Sequence, residues 1–422
     1  MTKKLIIAGA ALALISSCTM KNPLLTESSA PFGAPEFDKI RNEHYLPAFQ
    51  AAIAEAKAEI DAIVANPDEP TFENTIEAME YSGGALNKVA NIFYNLMEAN
   101  TNDELQQIAE EISPMMTEFS MYVSLNPVLF ERVKAVYEKK DELGLAKDQM
   151  TLLEDSYKGF VRGGANLSDE DKALYSKWSE ELSLTTLQFS KNVLAATNAY
   201  TLHITDTADL AGLPEFVKTM AAETAADKGL EGWAFTLDAP SYSPFLKYSS
   251  VRDLRKQIWT AYNTRATSGE FDNTEIVKQI VDLRIKIANI LGYETYADYA
   301  LEERMAKSKD TVNGFIKDLL EPSMEFAKKD VADVFAYAKK NGFEGSQLES
   351  WDFSYWSEKY QQAEYSLSAE ELKPYFQLES CIDAVFGLAS RLYGISFKEL
   401  DNVPVYHEDV KVYQVNDADG RH

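Results

Sequence analysis

Trp351-Asp352-Phe353-Ser354-Tyr355-Trp356 opens the stretch of sequence that decides the fold, and Leu392-Tyr393-Gly394-Ile395-Ser396-Phe397 closes it. Between them lie Lys373-Pro374-Tyr375-Phe376 and a segment with helical character. A Trp-Asp-x-x-Tyr motif is thus followed, about twenty residues later, by Pro-Tyr-Phe and then by a helix that ends in Leu-Tyr-Gly-Ile. One such motif alone is a weak signal, whereas several in a fixed order are a specific one.

Apolar residues recur at helical spacing through most of the chain. In residues 46–63 they fall three or four positions apart, which places them on one face of a helix. Asn126-Pro127 and Ser168 are typical helix starts, and Asn341-Gly342 is a typical helix end. Helices are expected over residues 46–63, 86–96, 105–119, 168–197, 215–226, 242–265, 273–291 and 309–340. We therefore predict an all-α fold of long helices without a fixed-period repeat.

Short strands are expected in two regions where the helical pattern lapses. Tyr200–Ile204 and Trp233–Leu237 alternate in polarity and carry β-branched or aromatic residues. Near the end, Val403–Tyr406 and Lys411–Val415 alternate in the same way, and Asn416–Gly420 resembles a hairpin turn. Only Arg421 and His422 follow that turn, so the preceding strand is expected to have an unpaired edge and the chain to be incomplete.

The formal net charge of −26 over 422 residues is the unusual feature of the composition. A polyanion is repelled by nucleic acid and by anionic membrane surfaces, so neither is expected as a partner. The hydrophobic content of 45% and the charged content of 26% are ordinary for a soluble globular protein. The composition therefore argues against nucleic-acid binding. Solvated helical faces are the simple interpretation of the negative charge, and attraction of cationic peptides is the alternative.

The N-terminus predicts a lipoprotein signal peptide over residues 1–17. Lys3 and Lys4 precede an apolar segment, Leu5–Ile15, that is too short to span a bilayer. Ile15-Ser16-Ser17-Cys18 resembles a bacterial lipobox, which makes Cys18 the predicted lipid attachment site. The expected location is the cell envelope of a Gram-negative-type bacterium, and Thr19 after the cysteine favours the outer membrane facing the periplasm. Residues 18–36 are rich in Pro, Ser and Thr and predict a flexible tether before a folded body at 37–422.

The residues that could carry catalysis are few. A zinc peptidase uses His-Glu-x-x-His on one helix, but the four histidines are His44, His203, His407 and His422, and the residue four after His407 is Lys411. We therefore predict no metal ligands and no catalytic residues in this chain. Cys381 lies in an apolar helix and reads as a small buried hydrophobe.

Two further features have both a structural and a functional interpretation. Glu110-Glu111 and Glu302-Glu303 are acidic pairs of the kind that helices expose to solvent, and 67 acidic residues produce such pairs by chance. Arg304 could line a peptide channel, but an ion pair between helices is the simpler interpretation.

The motifs together resemble the M3 family of zinc metallopeptidases, with peptidyl-dipeptidases (dipeptidyl carboxypeptidases) the nearest type and oligopeptidase A close behind. Besides the opening stretch, the resemblance rests on matches in the same order along the chain, which are Pro31–Ile40, Glu43–Phe49, Asn74–Glu77, Glu302–Ala306 and Val403–His407. The family implies a helical protein with a deep channel between two lobes, zinc held by two His and a Glu, and short peptides as substrates. The resemblance further implies that this chain supplies one wall of the channel and that the zinc-binding helix lies beyond it.

Two functions follow as hypotheses. The first is the N-terminal portion of an M3 zinc peptidase that releases C-terminal dipeptides from short peptides, inactive alone, with any surface that packs against the remaining part exposed. The alternative is a non-catalytic helical lipoprotein of the envelope that binds peptides or glycans. A third hypothesis, an oligomeric structural helical protein, is disfavoured because the sequence pattern lacks heptads and repeats, and a monomer is expected.

Overall fold

A computed structural model describes residues 22–366 and 369–422, and every structural statement below concerns these residues. The predicted signal peptide and Cys18 lie outside them. The all-α prediction is confirmed, since helices make up most of the described chain. The helices are α1 Tyr45–Val64, α2 Ala78–Glu80, α3 Gly84–Ala99, α4 Asp103–Ser124, α5 Pro127–Glu138, α6 Lys147–Arg162, α7 Asp169–Ala199, α8 Glu215–Asp227, α9 Ala239–Tyr248, α10 Arg252–Asn263, α11 Thr274–Ile290, α12 Tyr296–Leu301, α13 Lys309–Lys340, α14 Ser350–Tyr365, α15 Ala369–Leu372 and α16 Leu378–Tyr393.

Side-chain caps account for several helix starts. The Asn126 side chain accepts hydrogen bonds from the backbone N–H groups of Val128 and Leu129, at the start of α5. The Ser168 hydroxyl accepts from the N–H of Asp171, at the start of α7. These side chains satisfy N–H groups that have no partner within the helix, so the predicted starts are confirmed.

The described residues form two compact units. The first comprises residues 22–62, 81–108 and 398–414. Its core lies between α1 and α3, where the Phe93 ring makes edge contacts with Tyr45 and Phe49 at centroid distances of 5.2 and 5.5 Å. The late segment of this unit is held by Tyr406, whose ring meets Phe37 at 5.3 Å and whose carbonyl accepts from Asn100 at 3.2 Å.

Residues 22–36, inside the segment predicted as a tether, pack against the helices of the first unit. Leu24 is buried, and the side chain of Asn22 donates to the carbonyl of His44 at 2.7 Å. The Lys88 ammonium donates to the carbonyl of Thr26 at 2.7 Å. This part of the segment is therefore anchored rather than free, and the domain boundaries at residues 17 and 36 stay predictions.

The second unit comprises residues 63–80, 109–366, 369–397 and 415–422. Helices α7 and α11 pack along their lengths and share a buried polar contact, in which Asn192 donates to Asn273 at 2.8 Å. Beside them, β1 Leu202–Ile204 pairs antiparallel with β2 Trp233–Phe235, with Leu202 opposite Phe235, so both strands predicted there are confirmed. The inner side chains of this hairpin join α8, α9 and α10 in one apolar core.

The sequence predicts one helix over residues 242–265, whereas the structure has two, α9 and α10, separated by residues 249–251. The break is fixed by a contact with the preceding loop, because the N–H of Ser250 donates to the carbonyl of Ala211 at 2.7 Å. Gly212, at φ +86°, makes this approach possible. A Cβ on Gly212 would lie 2.4 Å from both the Tyr248 carbonyl oxygen and the Ser250 hydroxyl.

The second sheet begins earlier than the sequence predicts. Its strands are β3 Ser396–Leu400 and β4 Val412–Asn416, which pair with each other. Residues 403–406 lie between the strands without regular structure, and Pro404 there has no N–H to donate to a sheet. The predicted turn forms after β4, where the N–H of Gly420 donates to the carbonyl of Asp417 at 2.9 Å.

Candidate functional site

The histidines of the described residues do not assemble a metal site. His44 Nδ1 accepts from the backbone N–H of Arg41 at 3.0 Å, and His203 Nε2 lies 2.6 Å from the carbonyl of Glu231. His407 is half exposed and its ring lies 3.6 Å from a carboxylate oxygen of Asp409. Within residues 22–366 and 369–422, three or more His, Cys, Asp or Glu side chains nowhere come together as a metal site. The described residues therefore do not fit zinc, which requires three or four such ligands.

One of the two acidic pairs singled out in the sequence, Glu302-Glu303, forms ion pairs with α6. Glu302 contacts Arg162 at the end of α6 and accepts from the Tyr293 hydroxyl at 2.5 Å. Glu303 contacts Lys158 one turn earlier, and the hydrogen bond from that ammonium lowers the pKa of the Glu303 carboxyl. The structure thus favours a structural role for this pair, as interhelical contacts.

The Trp-Asp motif of the opening stretch forms a buried charged cluster. Asp352, in the first turn of α14, has no exposed side-chain surface. Its carboxylate accepts two hydrogen bonds from Arg252, at 2.9 and 2.6 Å, and one from Arg255 at 3.0 Å. The N–H of Glu349 donates a fourth at 3.2 Å. The motif aspartate therefore fastens the start of α14 to α10.

Arg255 is the other buried member of this cluster, with 2% of its side chain exposed. Its remaining nitrogens donate to the carbonyls of Trp351, at 3.0 Å, and Ser249, at 2.8 Å. Its guanidinium also lies 4.2 Å from the ring centre of Tyr355. Burial lowers the pKa of the Arg255 guanidinium, while the hydrogen bond to Asp352 opposes that shift. Each nitrogen of Arg255 has a partner within the protein, so this side chain offers no group to a ligand.

An aromatic cavity of about 560 Å³ lies between the C-terminal part of α13 and α14. It is lined by Tyr337, Asn341, Tyr355, Trp356, Lys359, Gln362 and Ala363. This lining contains no histidine, cysteine or carboxylate. The lining of the cavity therefore has none of the usual zinc ligands.

The most distinctive surface is an uncovered apolar face on α13. Every residue from 313 to 332 is exposed, although the later residues Val334 and Ala338 are buried. We call this surface the α13 face, and its large apolar members are Phe315, Ile316, Leu319, Leu320, Met324, Phe326 and Val331. Met305, in the turn before the helix, is fully exposed as well. Large contiguous apolar surfaces of this kind mark interaction sites.

Helix α16 has a second uncovered surface. Leu378, Val385, Leu388 and Leu392 are between 54% and 68% exposed. With the half-buried Cys381, they follow one another at spacings of three, four, three and four residues. We call these five residues the α16 stripe. The aromatic pair Tyr375-Phe376 of the Pro-Tyr-Phe motif, just before α16, is exposed too.

Comparison with known proteins shows which family the chain resembles. Residues 245–422 match the family described as "Peptidase family M3". The chain is therefore similar to peptidase family M3. It is 35% identical to the dipeptidyl carboxypeptidase of Escherichia coli over 405 residues, 95% of this chain and 59% of that protein.

Two oligopeptidases of the family are similar over the same extent. Oligopeptidase A of Escherichia coli is 33% identical over 94% of this chain and 58% of its own length. The probable cytosolic oligopeptidase A of Arabidopsis thaliana is 33% identical over 94% of this chain and 57% of its own length. The chain thus spans about three fifths of the length of the relatives it matches.

The predicted location in the bacterial cell envelope is wrong. Among these relatives, the Arabidopsis protein is named a cytosolic oligopeptidase, and the similarity does not support a membrane anchor as a partner. No helix in residues 22–366 or 369–422 is long and apolar enough to cross a membrane. Lipid attachment at Cys18 falls outside the described residues, and it stays a prediction, as does the monomeric state.

Sequence analysis missed the two arginines that pair with the aspartate of the Trp-Asp motif. Arg255 lies one turn before Ile258, which is fully buried, so it occupies the inner face of α10. An arginine at an apolar helical position is the available signal, because a buried guanidinium requires an anion. Asp352 was the natural candidate for that anion, but no pattern linked two residues that lie 97 positions apart.

Proposed function

We propose that this chain is the helical portion of an M3 metallopeptidase that hydrolyses short peptides and releases dipeptides from their carboxyl ends. The observation that carries the proposal is the extent of the similarity, which covers 95% of the chain against the dipeptidyl carboxypeptidase of Escherichia coli. Similarity spread over the whole chain argues for a shared architecture, whereas a single shared motif would not.

The residues that hold zinc in such an enzyme are proposed to lie outside the described part of this chain. His44, His203 and His407 each face a backbone or carboxylate group of their own neighbourhood, and none lies beside a second histidine. We therefore assign no catalytic step to the described side chains. Their role in the proposal is to form one wall of the peptide channel.

Short peptides rather than folded proteins are the proposed substrates. A wall made of long helices restricts the length and shape of what reaches a channel. The net charge of −26 favours cationic over anionic peptides through long-range attraction.

Peptide hydrolysis by the gene product that contains this chain tests the function. With zinc present, an N-acetylated tetrapeptide with a free C-terminus should yield its C-terminal dipeptide, detected by mass spectrometry. The same tetrapeptide with an amidated C-terminus should resist cleavage, since a dipeptidyl carboxypeptidase acts from that end. Equal cleavage of both peptides would favour the oligopeptidase mode, and cleavage of neither would reject the proposal.

The 422-residue chain alone provides the matched control. It should bind less than a tenth of an equivalent of zinc after dialysis, measured by elemental mass spectrometry, and should cleave neither peptide. Stoichiometric zinc or dipeptide release from this chain alone would overturn the assignment of the metal site to residues outside the described part.

A further inference from the structure

We propose that the α13 face and the α16 stripe are docking surfaces for apolar helices of the portion of an M3 polypeptide that this chain does not match. This inference rests on the proposed function, because it takes the occupant from the same family. It concerns the partner of these surfaces rather than the reaction.

The exposure of α13 is the first observation. Twenty consecutive residues, 313–332, are exposed on every side of the helix, a length of about 30 Å at 1.5 Å per residue. A helix of this length gains little stability in water unless an amphipathic face packs against other elements. The surface is therefore that of a helix whose packing partner lies outside the described residues.

The pattern of residues on α13 shows which side that partner covers. At 100° per residue, all seven members of the α13 face fall within about half of the helix circumference. The other half carries charged residues, among them Lys317, Glu321 and Lys328. Lys317 and Glu321 form an i, i+4 ion pair at 3.5 Å, as expected of a face that stays in water. The distribution is that of a helix with one side made for burial.

The α16 stripe predicts the kind of partner. A repeat of three and four residues along a helix is the seam used when two helices pack nearly parallel or antiparallel, at about 20°. The opposite side of α16 is already occupied, since Phe386 stacks on Phe397 at a ring distance of 4.1 Å. The stripe is therefore a second surface of α16 and fits another helix.

The area of the α13 face argues for a specific partner. At about 200 Å² for a fully exposed large side chain, the exposed parts of its members amount to roughly 800 Å². The largest apolar patch on an ordinary monomer is about 300–600 Å². About 800 Å² on each partner is the usual size of a specific, stable interface.

The remaining polypeptide of the family is a better occupant than a second copy of this chain. The matched relatives have about two fifths of their length outside the similarity, which is enough for several long helices. Two copies of the chain would bring together net charges of −26 each, which opposes association. The unmatched portion of a relative therefore serves as the probe.

Docking can be measured by mixing the 422-residue chain with the unmatched part of the Escherichia coli dipeptidyl carboxypeptidase, produced separately. Light scattering should give a 1:1 complex. Cys381 lies in the α16 stripe, so labelling of its thiol by N-ethylmaleimide, followed on the peptide that contains it, should slow at least tenfold. Hydrogen exchange of amides in residues 313–332 should slow in the same complex.

Matched lysine substitutions test the surfaces one at a time. Leu388→Lys and Leu319→Lys place a charge in the α16 stripe and the α13 face, whereas Ser380→Lys and Ala332→Lys place the same charge elsewhere on the same helices. The first two should weaken the complex at least tenfold, and the second two should leave it within twofold. All four should leave the melting temperature of the chain alone unchanged, because the substituted positions are exposed there.

A single polypeptide that fuses the same two parts removes the dependence on affinity. If the labelling of Cys381 and the hydrogen exchange of the α13 amides are as fast in the fusion as in the chain alone, the proposal is overturned. Dimers of the chain alone, dissociated by Leu388→Lys, would also overturn it in favour of a second copy. Protection in the fusion, combined with cleavage of neither tetrapeptide by the gene product that contains this chain, would retain the docking and reject the proposed function, so the two failures are distinguishable.

Discussion

Removal of the Asp352 carboxylate is the sharpest test of how the Trp-Asp motif acts. In Asp352→Ala, Arg255 keeps its backbone acceptors but loses its only anion, with 2% of its side chain exposed. Breaking a buried ion pair from one side costs about 3–5 kcal/mol, since the other charge stays buried. The lost N-terminal cap of α14, in which Asp352 accepts from Glu349, adds about 1 kcal/mol. The expected loss in free energy of unfolding is about 4–6 kcal/mol.

The neighbouring arginine provides the control for this magnitude. Arg252 contacts the same carboxylate, but 45% of its side chain is exposed, so its charge remains solvated when the partner is removed. Arg252→Ala removes this exposed charge and leaves the buried Asp352 carboxylate paired with Arg255, so it should cost about 1–2 kcal/mol despite the loss of two hydrogen bonds. The difference between the two substitutions measures burial rather than the number of contacts.

Urea unfolding followed by tryptophan fluorescence is the assay, because Trp351 and Trp356 flank the cluster in sequence. The double variant Arg255→Met with Asp352→Leu removes both buried charges and should regain at least half of the loss. A cost below about 1.5 kcal/mol for Asp352→Ala, or a double variant less stable than the single, would refute the view that an uncompensated buried charge sets the magnitude.

Three further predictions follow from single residues. Burial raises the pKa of Tyr45 to about 12, and its hydroxyl has no hydrogen-bond partner within the described residues. The unfolded state therefore loses this proton first, so stability should fall as pH rises from about 10 to about 12. Tyr45→Phe should reduce that alkaline loss and raise stability at pH 7 by about 1 kcal/mol, both measured by thermal unfolding, and an unchanged pH profile would contradict the assignment. Gly212→Ala should cost at least about 2 kcal/mol more than Gly229→Ala in the free energy of urea unfolding. Both glycines have positive φ, but of the two only Gly212 has a backbone atom 2.4 Å from the new Cβ. Equal costs would exclude the close approach.

The third concerns Asn273, which accepts from Asn192 and donates to the carbonyl of Phe189 at 3.0 Å. Asn273→Ala should cost about 2–3 kcal/mol in the same assay, because the buried amide nitrogen of Asn192 loses its acceptor, although the Asn192 oxygen still accepts from Gln188. The exposed Asn289→Ala serves as control and should cost under about 1 kcal/mol. An equal loss for both would contradict a buried polar contact at Asn273.

Local pattern was enough to find most of the helices but not the points where distant residues decide the geometry. The caps at Asn126 and Ser168 act within three residues, so their sequence signal is complete. The break between α9 and α10 depends on Ala211, some forty residues earlier in the chain, and helical spacing continues across it without a visible fault. The strand at 396–400 was hidden behind a helix end at Gly394, whose φ of +73° is visible only in the structure.

In the candidate site, too, local sequence predicts some features, whereas distant residues decide others. Sequence analysis expected the surfaces that pack against a remaining part to be exposed, but it could not say which helix faces these are. Core and docking residues share the same apolar chemistry, and in α13 the buried Val334 follows the exposed Val331 by one turn. Only the position of neighbouring elements separates the two, and periodicity contains no information about it.

Two reversals of the usual pattern, buried charge at Asp352 and exposed apolar surface on α13, therefore have different meanings. A buried charge points to a ligand only when a partner is missing, and both oxygens of Asp352 already accept two hydrogen bonds each. The α13 face has the opposite balance, since seven large apolar side chains have no neighbouring element to cover them among the described residues. Covering the α13 face stabilises the protein, whereas opening the Asp352 cluster destabilises it. Association with the rest of an M3 polypeptide should therefore proceed through α13 and α16, while the Trp-Asp cluster stays intact and holds α14 in place.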